Sequence, residues 1–444
     1  AGLYFTVRTR FIQFRMVRES IRVVGERPEK EGAVSSFQAL MVSTASRVGT
    51  GNIVGISTAV CLGGYGAVFW MWLIAIIGGA SAFIESTLAQ IYKRRNPETG
   101  ECYGGPSYYI EAALHSRPLA VVFAITLILT YAGGFNMVAS YNLQSTFAGY
   151  SFYDPATTPW VIGAILAVLV GYCLMGGGKR IMKVTSTLVP FMGGMYVLVA
   201  LIVVELHIQL LPQVLGRIFS EAFDFQSIFA GFTGSAMMYG IKRGLFSNEA
   251  GVGSAPNAAA SAHVSHPAKQ GLVQMLSVFI DTLLICSATA FMLLCSGVEP
   301  TKGLEGAPYV QAALQNVFGA AGPVFITVAM VLFAFTTLIG NLYYVDNALN
   351  YIVGRVPARE FMVLFRINAM IVIFIGAGQS IDLVWNLADV LMGLMALINL
   401  PVILILARPA LDAMKDYAAQ RKAGKNPVFK AKHIGLEGKT EYWQ

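Results

Sequence analysis

Charge is scarce in this chain. Of 444 residues only 12% are Asp, Glu, Lys or Arg, and 56% are hydrophobic. A soluble domain carries about 25% charged residues. The shortage argues against the two or three soluble domains that the length alone would permit. Cysteine and histidine are also few, five of each. Cys61, Cys102, Cys173, Cys286 and Cys295 are scattered in or beside apolar segments, with no metal spacing and no disulfide framework. His263 and His266 have no further Cys or His nearby, so they read as a solvated loop rather than a metal pair. HExxH and GxSxG are missing, and the run GGGKR at 176–180 is no phosphate loop, because neither Ser nor Thr follows its lysine. Nothing recognisable supports an enzyme. The start, AGLYFTV, has no signal-peptide core or cleavage site and reads as the tail of an apolar segment, with a helix or presequence upstream.

What the chain has instead is long apolar runs, of the ~20 residues that cross a bilayer. Ten spans can be drawn: 37–62, 66–92, 118–148, 159–175, 184–206, 227–244, 271–297, 323–353, 361–378 and 381–406. The connections between them are short and rich in Gly, Pro and charge. The reading is one all-α polytopic membrane protein, with a basic segment at 1–36, five spans in 37–206, five more in 207–407 and a basic tail at 408–444.

The net charge of +7 raises the question of nucleic acid, and the placement of the charges answers it. All but three of the 31 Lys and Arg (Arg47, Arg217 and Lys302) fall before the first span, in alternate loops, or in the tail. Lys242 and Arg243, at the end of span six, are counted with the loop that follows it. The positive-inside rule then puts the numbered start and the tail in the cytoplasm. These segments suit anionic lipid headgroups, and nucleic acid is not expected as a partner.

Five spans carry the chain across and the next five repeat the pattern inverted. Span one is broken near its midpoint by Gly49, Thr50, Gly51, Asn52 and Gly55, within STASRVGTGNIVGIS (43–57). Span six carries a second glycine-broken run, FAGFTGS, at 229–235. Either break alone is explained by close helix packing through small residues. Both together, in corresponding places of inverted halves, point to a transporter binding site.

The string GTGNIVGISTAVCLGGYGAVFWMW (49–72) resembles the signature of the alanine or glycine:cation symporter family. So do GECYGGPSYYIEAAL (100–114), IKRGLFSNEAGVGSAPNAAASAHVSHPAKQG (241–271) and DTLLICSATA (281–290). The resemblance covers residues 5–401. It implies a LeuT-like 5+5 inverted repeat, with the first and sixth core helices broken, and sodium-coupled symport of a small neutral amino acid such as alanine or glycine. It also implies an inner (plasma) membrane location and a further helix before the first repeat. Proton coupling, or a sensor or channel on the same fold, are the competing readings.

A zwitterionic substrate needs its two charges met separately. Free N–H groups at Gly51 and Asn52, with the Thr50 hydroxyl, suit the carboxylate. Carbonyls of Phe232, Thr233 and Gly234 suit the ammonium. By the resemblance, the sodium ion would take the carbonyls of Ala45 and Val48 and the hydroxyls of Thr336 and Thr337, against the duller reading that such hydroxyls bond their own helix. Asn52, Thr233 and Asp281 form a second candidate ion site. Phe135, Phe232 and Trp385 are expected as apolar walls. The family often has Gln near the position of Ala139 and Pro at that of Tyr65, so this chain departs there. Arg47 is read as a gate residue, with Glu85, Glu249, Asp281, Asp346 and Asp389 as partners; the alternative for Glu249 is a plain place in the cytoplasmic loop.

Overall fold

The computed structural model describes residues 1–28, 32–97, 99–223, 236–354 and 357–443. Among these, seven helices are long and apolar enough to cross a membrane, and the shorter apolar pieces Gly51–Gly63 and Thr158–Leu174 join them. Exposed Val168, Tyr172, Leu198, Leu201, Ile371 and Leu397 on spans four, five, nine and ten give the outside an apolar skin, as a bilayer requires.

Span one starts at a capping box, in which the Ser35 hydroxyl accepts the Gln38 N–H at 3.1 Å and Gln38 Oε1 accepts the Ser35 N–H at 3.0 Å. The helix Ser36–Arg47 then stops. Val48 turns to ψ 88°, and the chain resumes through a wide turn, Gly51–Gly55, into Ile56–Gly63. Span two is the unbroken helix Gly66–Ile91. Spans three and seven each carry a wide turn inside a continuous helix, at Leu129–Gly134 and Phe279–Cys286.

Small residues set the packing. A side chain at Gly240 or Gly244 of span six would strike Ala67, Trp70 or Ile74 of span two, and one at Gly271 of span seven would strike Phe83 and Thr87. Spans two, six and seven therefore lie backbone to backbone. Spans four and nine meet the same way at Gly163 and Gly171, and Gly376 of span nine sits on Met137 of span three. Spans three, four, eight and nine form a second packed group, and span ten lies along span three.

Span six departs most from expectation. Its helix is Ala236–Asn248, and residues 249–255 are irregular backbone with positive φ at Glu249 (52°), Gly251 (83°) and Gly253 (92°). The short helix Pro256–Ser261 follows. The helix thus runs past the expected end at Gly244, and a break follows it. Lys242 and Arg243 are on it rather than in a loop, and Glu249 is buried at 1% exposure rather than solvated. The run 229–235, with Phe232, Thr233 and Gly234, lies outside the described residues.

The basic ends of the spans are capped by chain from both termini. The hairpin Arg94–Arg95/Cys102–Tyr103 and the helix Pro106–Leu114 link spans two and three. After span ten (Ile381–Ile405), the helix Ala407–Lys422 folds back, and the Trp443 indole N–H donates to the Gln90 carbonyl at 2.7 Å. The tail buries His266, which is 0% exposed, and His263, at 6%; neither sits in a solvated loop. No group of three or more His, Cys, Asp or Glu able to hold a metal occurs among the described residues.

Candidate binding site between two broken helices

The break in span one faces the break in span six. Asn52 is the joint. Its Oδ1 accepts the Gly49 N–H at 2.8 Å, and its Nδ2 donates to Ser247 Oγ at 2.9 Å and to Asp281 Oδ1 at 2.7 Å. Ser247 Oγ and Thr282 Oγ1 each donate to Asp281 Oδ2 at 2.8 Å. One carboxylate and three polar side chains, all buried, thus sit where spans one, six and seven meet.

Beside this cluster is a cavity. Span one lines it with Ser46, Arg47, Gly49, Thr50 and Gly51, and span three with Phe135, Val138 and Ala139. Span six adds Phe246, Ser247 and Glu249, and span eight adds Thr337. The space is narrow, about 20 Å³ for the centre of a water molecule, which is room for one or two waters. An amino acid fits only when the walls separate.

Three rings close one end. Phe246 lies between Phe135, with centroids 4.6 Å apart, and Trp385, at 4.7 Å. The Arg243 guanidinium stands 4.2 Å over Trp385 and donates to both oxygens of Asp389, at 3.3 and 3.1 Å; Lys242 adds a contact at 2.8 Å. A charge pair at this depth is tolerable because it is mutual and hydrogen-bonded.

The expected ion ligands separate into two groups. Thr337 Oγ1 lies 3.1 Å from the Ala45 carbonyl oxygen, across spans eight and one, and the space at Gly49 is so tight that a side chain there would collide with the Thr337 hydroxyl. Val48, where the helical ladder ends, directly precedes Gly49 in the chain. Thr336 points elsewhere: its hydroxyl donates to Leu332 O at 2.9 Å and faces Met192. Adjacent residues on a helix diverge by about 100°, so the two hydroxyls do not converge.

Thr50, Gly51 and Phe135 line the cavity, and Asn52 stands directly behind it. Trp385 forms the outer layer against Phe246. Four of the expected partners of Arg47 are engaged with other groups: Asp389 with Arg243, Asp346 with Arg366, Asp281 with Asn52, and Glu85 with the Gly251 N–H. The fifth, Glu249, accepts from the Ser254 hydroxyl at 2.6 Å and shares the cavity wall with Arg47. Among the described residues the Arg47 hydrogen bonds go to Gln274, at 3.4 Å to its carbonyl, while its Nε and Nη2 have no hydrogen-bond partner there. Phe246, Ser247, Thr282 and Asn142, which donates to Thr50 Oγ1 at 3.1 Å, were absent from the expectation.

A profile of the sodium:alanine symporter family matches residues 1–431. The chain belongs to that family. Family membership makes it a transporter rather than an enzyme, with sodium as the implied coupling ion. Similar proteins include the amino-acid carrier protein AlsT of Bacillus subtilis, 46% identical over 443 residues, with 100% of this chain and 93% of the relative covered. The probable sodium/glutamine symporter GlnT of the same organism is 42% identical over 444 residues, covering 100% and 91%. Among solved structures, MhsT in complex with L-phenylalanine superposes with a TM-score of 0.58 over 93% of this chain and 97% of that one, at 16% identity. That likeness speaks for the LeuT-type fold alone.

Proposed function

We propose that this protein couples inward sodium flow to uptake of a small neutral amino acid across the plasma membrane, with the basic face and the tail in the cytoplasm. The observation that carries the reading is the meeting of two helix breaks at one buried cavity, tied by Asn52 to Ser247 at 2.9 Å. Irregular backbone at membrane depth persists where it lines such a cavity.

In this reading Thr50 and Gly51 receive the substrate carboxylate, with Asn52 holding the turn beside them. Phe135, Phe246 and Trp385 close over the side chain, and Glu249 faces the ammonium. One sodium ion takes Thr337 and the carbonyls of Ala45 and Val48, displacing the hydroxyl from its present bond. A second takes the oxygens around Asp281, Ser247 and Thr282. Hard oxygens on mobile helices suit an ion that must bind and leave. Closing both ends in turn, at the Arg243–Asp389 pair and at the basic face, gives alternating access.

Ala139 favours a second substrate. It lines the cavity with a single methyl, so that once the walls separate the site has room for a longer polar side chain of the glutamine type as well as for alanine.

The test is uptake by purified protein in proteoliposomes. An inward sodium gradient is expected to drive accumulation of labelled alanine, with glycine, serine and glutamine as competitors. Equal uptake with sodium absent, under a proton gradient alone, would replace sodium with protons. No uptake of any of these under either gradient would overturn the reading.

A further inference from the structure

The irregular stretch 249–255 raises a question the site does not answer: what satisfies its backbone. At Gly251 the answer is one buried cluster. The Gly251 N–H donates to Glu85 Oε1 at 3.2 Å, and its carbonyl accepts from Asn399 Nδ2 at 2.9 Å. Asn399 Nδ2 also donates to Glu85 Oε2 at 2.8 Å, and the Tyr109 hydroxyl donates to Asn399 Oδ1 at 2.5 Å. Glu85, Asn399 and Tyr109 are each 0% exposed. A side chain at Gly253 would stand 3.0 Å from Asn399 Cγ, so Asn399 touches both positive-φ glycines.

These bonds cross between two packed groups. Glu85 and Gly251 belong to spans two and six, which lie together. Asn399 is on span ten and Tyr109 on the helix Pro106–Leu114, both packed on span three. The stretch they hold begins at Glu249, in the cavity wall, and leads to Pro256–Ser261, where Ala260 abuts Gly104 beside the basic hairpin. It therefore lies between the cavity and the basic face. A polar tie suits a joint that must open: its hydrogen bonds can be exchanged for bonds to entering water at small net cost.

We propose that Asn399 and Tyr109 are positioning residues for transport. They hold the unwound part of span six so that it shuts the path from the cavity to the basic face, and Asn399 leaves Gly251 when that side opens. The proposal rests on the transport reading above.

The test is labelling by maleimide at Ala255→Cys, at the basic end of the stretch, in inside-out vesicles, with the protein lacking that substitution as background. The expected result is that Asn399→Ala raises the labelling rate about tenfold and that Tyr109→Phe raises it several-fold. Sodium is expected to slow labelling less in Asn399→Ala than in the parent. Unchanged or slower labelling in a folded Asn399→Ala protein overturns the proposal. Should that variant not fold, an unchanged rate in Tyr109→Phe does so. Sodium-driven uptake by the parent, measured in parallel, reports on the transport reading by itself: its failure sinks that reading, whereas failure of the labelling result with uptake intact sinks only the role given to Asn399 and Tyr109.

Discussion

Asn52 and Ser247 are 195 positions apart, yet the Asn52 amide donates to the Ser247 hydroxyl at 2.9 Å and so pins one broken helix to the other. The same amide nitrogen reaches Asp281 at 2.7 Å, and the amide oxygen holds the Gly49 N–H. Asn52→Ala removes all three at once and leaves a buried carboxylate and a buried N–H short of a partner. Each such group costs about 1–3 kcal/mol. Sodium-dependent alanine binding, followed by calorimetry on purified protein, is expected to weaken by roughly ten- to a hundredfold. An affinity within about twofold of the parent would remove Asn52 from the site.

The two threonines of span eight offer a paired comparison. Thr337 Oγ1 reaches across to Ala45 O at 3.1 Å, whereas Thr336 Oγ1 turns back to Leu332 O in its own helix. Thr337→Ala is expected to raise the sodium concentration for half-maximal uptake about tenfold or more, because it deletes one of a few oxygen ligands. Thr336→Ala is expected to shift it less than about threefold, since a back-bonded hydroxyl contributes little. A sodium titration of uptake for both variants checks this; the reverse order would assign the ion to the other face.

Much of the fold could be read from the chain because apolar length and glycine are local signals. Span two was expected at 66–92 and is Gly66–Ile91; the break in span one follows from Gly49, Gly51 and Gly55 crowded at mid-span. The run expected to break span six, 229–235, lies outside the described residues, and the break at 249–255 was not expected, although its residues stood within a quoted string. Lys242, Arg243 and Glu249 look like loop residues because a hydropathy reading counts every charge as facing water. Arg243 escapes that rule through Asp389, 146 positions later, which no window detects. The signal that was there is Gly251 and Gly253 followed by Pro256: two residues suited to positive φ and then a helix start. His266 failed for a similar reason. It is buried by a tail that returns after 150 residues, with Asp416 at 3.1 Å.

That docked tail should respond to acid. His266 Nδ1 accepts the Ala268 N–H at 3.1 Å, so the ring is neutral and its Nε2–H donates to Asp416. Burial, together with the nearby charges of Lys269 and His433, pushes the imidazole down from 6.5 to about 4, against the opposing pull of Asp416. The folded state therefore binds fewer protons than the unfolded one between those values. Stability rises with pH there, and on acidification from pH 6.5 toward 4 it is lost. Glu19 acts in the same sense lower down. Burial opposes its ionisation, but hydrogen bonds from Arg22 and Tyr417 and the charges of Arg22 and Arg421 hold it at about 2, so its contribution fades from pH 4.5 downward. Proteolysis of the tail is expected to be several-fold faster at pH 5 than at pH 7. His266→Asn keeps a helix-capping side chain but does not titrate, and is expected to flatten the response; an unchanged pH profile would exclude His266 as its source.

Arg243 poses the last question, because Lys242 is beside it and meets the same carboxylate at 2.8 Å. A simple charge count would let either cation serve. Geometry separates them: Arg243 is 6% exposed, spans both oxygens of Asp389 and lies 4.2 Å over the Trp385 ring, whereas the Lys242 side chain is 37% exposed. A lysine ammonium cannot reproduce a planar fork that is also stacked on an indole. Arg243→Lys, though it preserves charge, is expected to lower the rate of sodium-driven uptake about tenfold and to alter Trp385 fluorescence on substrate addition. Lys242→Ala, which deletes a charge in a wetter place, is expected to change the rate less than about threefold. Should the two variants behave alike, the pair at Asp389 would be acting through net charge, and the position of the Trp385 ring against Phe246 would not depend on the fork that now holds it.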